Sequence, residues 1–256
     1  MTGYRFPFGQ PVRTLVQQDR TPKLVFILGV YASAVHARWV GANGKTKITA
    51  LAVASEPYIF WQGDGAGSII ADIKLPTGSG KLVPAVAHLN GPSGRSLDEC
   101  FLTPLELTRR DVWLSDIVPH SCLNPKQDQA IQREYMPLMA EYDLPEVSLP
   151  PVPNPLCDDD RRREILAELQ ESQADVLVLL GDEPIRWFLR YYDHRWSCLS
   201  DFGTTPETYG VYHPVTIEGR TYQVLPLVHP RQASQLGTHS AQWHALHRAW
   251  MTKGGQ

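Results

Sequence analysis

Four short runs of the chain carry almost nothing but apolar side chains: Lys23–Leu28, Val112–Val118, Val176–Leu180 and Tyr222–Val228. They are rich in Val, Leu and Ile and lack clean alternation, the pattern of strands covered on both faces. Between them the apolar spacing turns helical. Residues 158–173 open on Asp158, Asp159 and Asp160, which suit a helix N-terminus, and then set Ile165, Leu166 and Leu169 on one face. In GDEPIRWFLRYY, Pro184 takes a first-turn helical position. In SAQWHALHRAWM, Trp243, Leu246 and Trp250 recur at helical spacing.

Strand and helix alternating in this way predict an α/β fold, a three-layer α/β/α sandwich around a central, mainly parallel four-stranded sheet. The whole chain, residues 1–256, is expected to form one domain. Tyr58–Cys100, rich in Gly and Pro, reads as an insertion of hairpins and loops. The proline-rich stretch Leu144–Cys157 reads as an extended connection. Gly29 reads as the turn ending the first strand, with His36, Arg38 and Trp39 on the loop or helix that follows.

Composition changes this picture little. Hydrophobic residues make up 43% of the chain, enough for a full core, and the formal net charge of −3 gives no global sign of nucleic-acid binding. Charge is uneven, however. Met1–Ala50 holds Arg5, Arg13, Arg20, Lys23, Arg38, Lys45 and Lys47 against the single acid Asp19. A local positive face of that kind steers phosphate even on an acidic chain, although a solvated surface accounts for it equally well. Cys100, Cys122, Cys157 and Cys198 form no C-x-x-C pair. Isolated thiols without a signal peptide fit a reducing, cytoplasmic setting. No apolar run approaches the ~20 residues needed to cross a bilayer, so no membrane association is expected.

Several motif-like stretches carry no chemistry. PTGSGK at Pro76–Lys81 lacks the first P-loop glycine, because Leu75 stands there, and Leu82 replaces the magnesium-binding hydroxyl. Its flanks read as alternating strands, which predicts a hairpin turn. GDGAG reads as a loop, and the three consecutive aspartates as a solvated cap. His239, His244 and His247 read as surface histidines rather than as zinc ligands. G-x-S-x-G is absent.

One constellation remains. The strand in VLPLVHPRQ delivers His229 at its carboxyl end, with Pro230 stiffening the exit. Val30 and Tyr31 leave the first strand, and Asp116 lies inside the second, in VWLSDIVPH. In a parallel sheet such strand ends face one crevice, where ligands are held. A polar residue within an apolar strand is costly unless it is paired or used.

At these residues the chain resembles the uracil-DNA glycosylase superfamily, and the likeness extends loosely over most of the chain. GVYAS at Gly29–Ser33 occupies the place of that superfamily's first motif, and HPRQ at His229–Gln232 that of its last. ALAVASEP resembles the segment that supplies a base-stacking aromatic. WLSDIVPHSCLNP resembles the strand where an Asn reads uracil, and VLVLLGDEPIRWFL the third strand and its helix. The departures are specific. Tyr31 and Val30 stand where branches of the family carry Asp, Asn or Glu, and Ala32 replaces the Pro. Val53 falls near the stacking aromatic, Asp116 at the Asn, and Arg231 where a small residue is usual. The cysteines do not fit the spacing of the cluster-bearing branches, so no iron–sulfur cluster, metal or other cofactor is expected.

The resemblance implies a protein, expected to be monomeric, that binds DNA or a nucleotide-like ligand and hydrolyses an N-glycosidic bond. His229 would stabilise the departing base, Asp116 would read its edge, and Tyr31 would wall the pocket. Gly29, Val30, Ala32 and Val53 would line it, while Arg38 and Arg231 would reach phosphate. A tyrosine phenol, with a reference pKa of about 10, supplies no anionic base at neutral pH. An ionised Asp116 would only accept hydrogen bonds and would favour an amino-bearing base over uracil. Two alternatives stand beside hydrolysis: a module on the same fold that binds without cleaving, and an enzyme that acts on something other than DNA.

Overall fold

The computed structural model describes residues 3–235 and 241–255. Its strands are β1 (Val25–Tyr31), β2 (Ala34–Val40), β3 (Thr46–Ser55), β4 (Lys81–Pro84), β5 (Val112–Val118), β6 (Val176–Leu180), β7 (His213–Ile217) and β8 (Arg220–Leu227). The chain divides into two compact units. Unit 1 comprises Met1–Leu15, Tyr31–Pro92 and Pro119–Val152. Unit 2 comprises Val16–Val30, Ser93–Val118 and Pro153–Gln256.

Unit 2 holds a five-stranded, mainly parallel sheet in the order β5–β1–β6–β8–β7, with helices flanking it. The predicted α/β class and parallel core are present, and the strand count is corrected from four to five. The added strand, β7, runs antiparallel to β8 with Ile217 opposite Arg220. Glu218 and Gly219 link them, both at positive φ (46° and 80°). That is the two-residue turn whose twist matches a hairpin. Glutamate is an unusual residue for such a turn, so the sequence did not announce it.

Register follows from the apolar runs. Val25 pairs with Val176, and Leu28 with Leu179; Leu180 in turn pairs with Leu227. β5 starts level with β1, because the Leu24 and Val25 amides both donate to the Asp111 carbonyl. The Phe26 and Trp113 rings then stack at 6.5 Å. Phe26, Ile27, Leu28, Leu177, Leu179, Leu180, Val224, Leu225 and Leu227 are fully inaccessible, which explains the missing alternation.

The helix Asp159–Ser172 is capped by Asp158, which accepts from the Arg161 amide at 2.8 Å. It buries Ile165 and Leu169. Its Arg161 serves β5, an edge strand. The guanidinium donates to the carbonyls of Ile117 (3.0 Å) and Asp116 (2.7 Å) and to Ser115 Oγ (3.2 Å). An unpaired carbonyl on a strand edge invites pairing with another chain, and here the Arg161 side chain covers that of Asp116 while also holding the Ile117 carbonyl.

Unit 1 carries an antiparallel sheet in the order β3–β2–β4. Two expectations change there. Residues 34–40 are a strand rather than a loop or helix: Val35, Ala37 and Trp39 are buried, whereas Arg38 is exposed. The flanks of PTGSGK do not form a hairpin. Ala66–Ala71 is helical, burying Ala66 and Ile70, and only Lys81–Pro84 is extended, pairing with β2. A short apolar run such as SIIADI satisfies both periods, and packing selected the helix. Gly80, at φ 106°, sits where a Cβ would lie 2.0 Å from the Val40 carbonyl oxygen, so this glycine permits close backbone approach rather than phosphate binding.

Candidate active site

The carboxyl ends of β5, β1, β6 and β8 form one edge of the unit 2 sheet. Gly29 lies inside β1 and is not the turn that the sequence suggested. The register sets Asp116 level with Gly29, Leu180 and Leu227, and His229 lies two residues beyond Leu227.

Faces follow from alternation. Trp113 Nε1 donates to Glu168 at 3.3 Å, and Ser115 Oγ accepts from Arg161. Both partners belong to Asp159–Ser172, so Asp116 faces the opposite side of the sheet. Gly29, Leu180 and Leu227 share that side. His229, still extended (φ −67°, ψ 144°), continues it. The backbones of Asp116 and His229 are separated by β1 and β6, about 14 Å at usual strand spacing. Gly29 leaves the ground beside Asp116 without a side chain.

His229 is held in one chemical form. Its Nδ1 accepts the Arg231 amide at 3.2 Å, and its own amide donates to Gln232 Oε1 at 3.2 Å. Burial, followed by the Arg231 charge, lowers its pKa to about 4. A neutral imidazole whose Nδ1 accepts must carry its proton on Nε2. The ring therefore presents a fixed N–H donor. Gly181, at the end of β6 with φ 90°, lies against it, and a Cβ there would stand 3.1 Å from His229 Cβ.

Asp116 is only 4% exposed. Burial raises its pKa to about 7, with Arg161 opposing the rise and Glu168 adding to it. The carboxyl is therefore not a fixed carboxylate, as sequence reasoning assumed. Near neutrality it populates an acid that offers one donor and one acceptor.

The other expected positions fall as follows. Val30 is buried near the end of β1 in unit 2. Arg231 is exposed on the short helix Pro230–Ala233. Tyr31, 51% exposed, begins a segment of unit 1, with Ala32 buried behind it in sequence. Val53 is fully buried in the unit 1 core with Phe6, Phe8 and Trp39, so its surface is taken up by packing. Arg38 is exposed on β2.

Sequence reasoning passed over Asp182. It follows Gly181 directly, is exposed, and accepts the Leu199 amide at 2.8 Å through one oxygen. A carboxylate two residues beyond a central parallel strand was the available signal. The C-terminal histidines also differ from expectation. His247 is fully buried, and His244 Nδ1 lies 2.7 Å from the Ala233 carbonyl. Neither is the free surface histidine expected, and His239 lies outside the described residues.

A family model described as the uracil DNA glycosylase superfamily matches residues 86–250. The chain belongs to the uracil DNA glycosylase superfamily. Ligands in open α/β sheets are held at strand carboxyl ends, and the match spans β5, β6 and β8 together with Asp116, Asp182 and His229. No curated protein matches the chain. Among the described residues, no helix is long and apolar enough to cross a membrane.

Proposed function

We propose that this uracil DNA glycosylase-like protein removes a base from DNA by hydrolysing its N-glycosidic bond. The observation that carries the reading is the fixed tautomer of His229, whose Nε2–H is aimed by an Nδ1 already engaged. When the C1′–N bond breaks, its electron pair leaves with the base, and negative charge spreads to the base oxygens. A preorganised neutral donor stabilises that charge by ~3 kcal/mol and requires no proton transfer. Water adds to C1′, and its proton passes to a carboxylate or to solvent. Asp182 and Asp116 are two carboxyl groups of unit 2 at this edge, and Asp182 keeps one oxygen clear of its bond to Leu199.

Asp116 reads the flipped base in this proposal. Its neutral acid matches a lactam edge, a ring N–H beside a carbonyl, as in uracil or hypoxanthine. Its ionised form matches an exocyclic amine instead. Base choice is therefore expected to move with pH: lactam bases are favoured below about pH 7 and amino-bearing bases gain above it.

The test is single-turnover cleavage of duplexes carrying uracil, hypoxanthine, and modified or amino-bearing bases. His229→Ala is expected to slow the best substrate by about 10²–10³-fold. Asp116→Asn is expected to favour the lactam bases at every pH. Salt-sensitive binding with no abasic product from any duplex would replace hydrolysis with a binding role. Neither binding nor product would point away from DNA.

A further inference from the structure

We propose that Tyr209 and His247 are positioning residues for His229, linked to it through a relay of three hydrogen bonds that ends on the amide of Val228, the residue preceding His229. The proposal rests on the reading of His229 as the donor to the departing base.

Every atom in the relay has one possible role. His247 Nε2 lies 2.9 Å from the Cys100 carbonyl oxygen. A carbonyl only accepts, so Nε2 carries the proton. The ring is fully buried, and desolvation keeps it neutral, so Nδ1 holds a lone pair. That lone pair receives the Tyr209 hydroxyl at 2.7 Å. The hydroxyl oxygen then accepts the Val228 amide at 3.0 Å. Reversing any member would set a donor against a donor.

The position of the last bond gives the relay its purpose. β6 and β8 pair up to Leu180 and Leu227, and the Gly181 amide donates to the Leu227 carbonyl at 2.8 Å. Val228, one residue on, turns its amide to the other side, towards β7, whose pairing with β8 extends only to His213 opposite Val224, so no ladder partner is available to it. The Tyr209 hydroxyl takes the place of the missing strand. It holds the chain straight for one further residue, up to the one carrying the imidazole. His229 is thus fixed at three successive amides: Val228 by Tyr209, its own by Gln232, and Arg231 by its own ring.

Packing locks the relay in turn. The His247 ring lies 4.5 Å from Phe101 and 5.0 Å from Trp250, centroid to centroid. Gly210, next to Tyr209, lets Trp250 approach to where a Cβ would be 2.3 Å from the indole. An apolar residue would fill this site without desolvating an imidazole, so the polar choice requires a reason. The reason is orientation of a group whose value depends on sub-ångström placement.

The experiment compares His247→Gln, His247→Leu and Tyr209→Phe with wild type, all as full-length chains. Two quantities are read: the His229 tautomer by ¹⁵N-resolved NMR of the imidazole, and single-turnover base release at saturating and subsaturating duplex. Glutamine can donate to Cys100 and accept from Tyr209, so His247→Gln is expected to keep the Nε2–H tautomer and a near-wild-type rate. His247→Leu and Tyr209→Phe are expected to mix the two tautomers and slow release about 10-fold or more. Half-saturation is expected to change little. If His247→Leu does not fold, Tyr209→Phe, which removes a single oxygen, carries the test. Folded variants with unchanged His229 signals would overturn the proposal. So would a His247→Gln variant as slow as Tyr209→Phe. Should wild type cleave no base at all, the hydrolytic reading fails, while the tautomer readout still decides the relay.

Discussion

At the scale of single residues, burial decides more than identity. Asp116 and His229 were both visible as polar groups at apolar strand ends, but their ionisation was not. The same desolvation pushes the two in opposite senses: Asp116 towards its neutral acid and His229 towards its neutral base. Their effects on stability are opposite as well. His229 and His247 resist protonation in the fold, so the unfolded chain binds more protons between about pH 6.5 and about pH 4, and stability falls as pH falls through that window. Asp116 keeps its proton in the fold after the unfolded chain has lost it, so its contribution falls as pH rises towards about 7. Asp116→Asn cannot ionise. Its urea midpoint is therefore expected to improve relative to wild type as pH is raised from about 5 to about 8, and a constant difference would contradict the assigned burial.

At the scale of elements, the site is framed by how strands end. Arg161 satisfies the Asp116 and Ile117 carbonyls near the end of β5 while bonding to Glu164 and Glu168 at 2.8 and 3.2 Å. Arg161→Ala would leave these acceptors unpaired in a largely buried setting and is expected to cost about 2–3 kcal/mol in urea denaturation. Arg161→Lys is expected to recover only part of this, because an ammonium lacks the fork that reaches three consecutive residues. Gly181→Ala sets a side chain against His229 at a positive φ. It is expected to lower stability by ~1 kcal/mol or more and to slow base release. Element type was legible where pattern and length agreed: β5 and β6 occupy the runs read from sequence, and Asp159–Ser172 lies within its predicted segment. It was not legible in residues 34–40 and 66–71, where six or seven residues fit more than one period and only the neighbours decide.

At the scale of the whole molecule, net charge says little about partners. Of the seven basic residues in Met1–Ala50, Lys23 is buried and paired with Asp19, and Arg20 pairs with Glu171. Any hold on phosphate therefore comes from local exposed groups such as Arg231. Arg231→Ala is expected to weaken duplex binding similarly for every base and to reduce the slope of log affinity against log salt by about 1. An unchanged slope would remove Arg231 from the DNA surface. The sequence by itself determined the apolar runs, and through them the parallel sheet and the strand ends that carry Asp116 and His229, because burial on both faces leaves a compositional mark. Tertiary structure alone decided which proton each group holds, that β7 joins the sheet, and that Tyr209 and His247 stand behind His229. Those outcomes depend on which distant segments shut out water and meet one another's hydrogen bonds, and no local pattern records that.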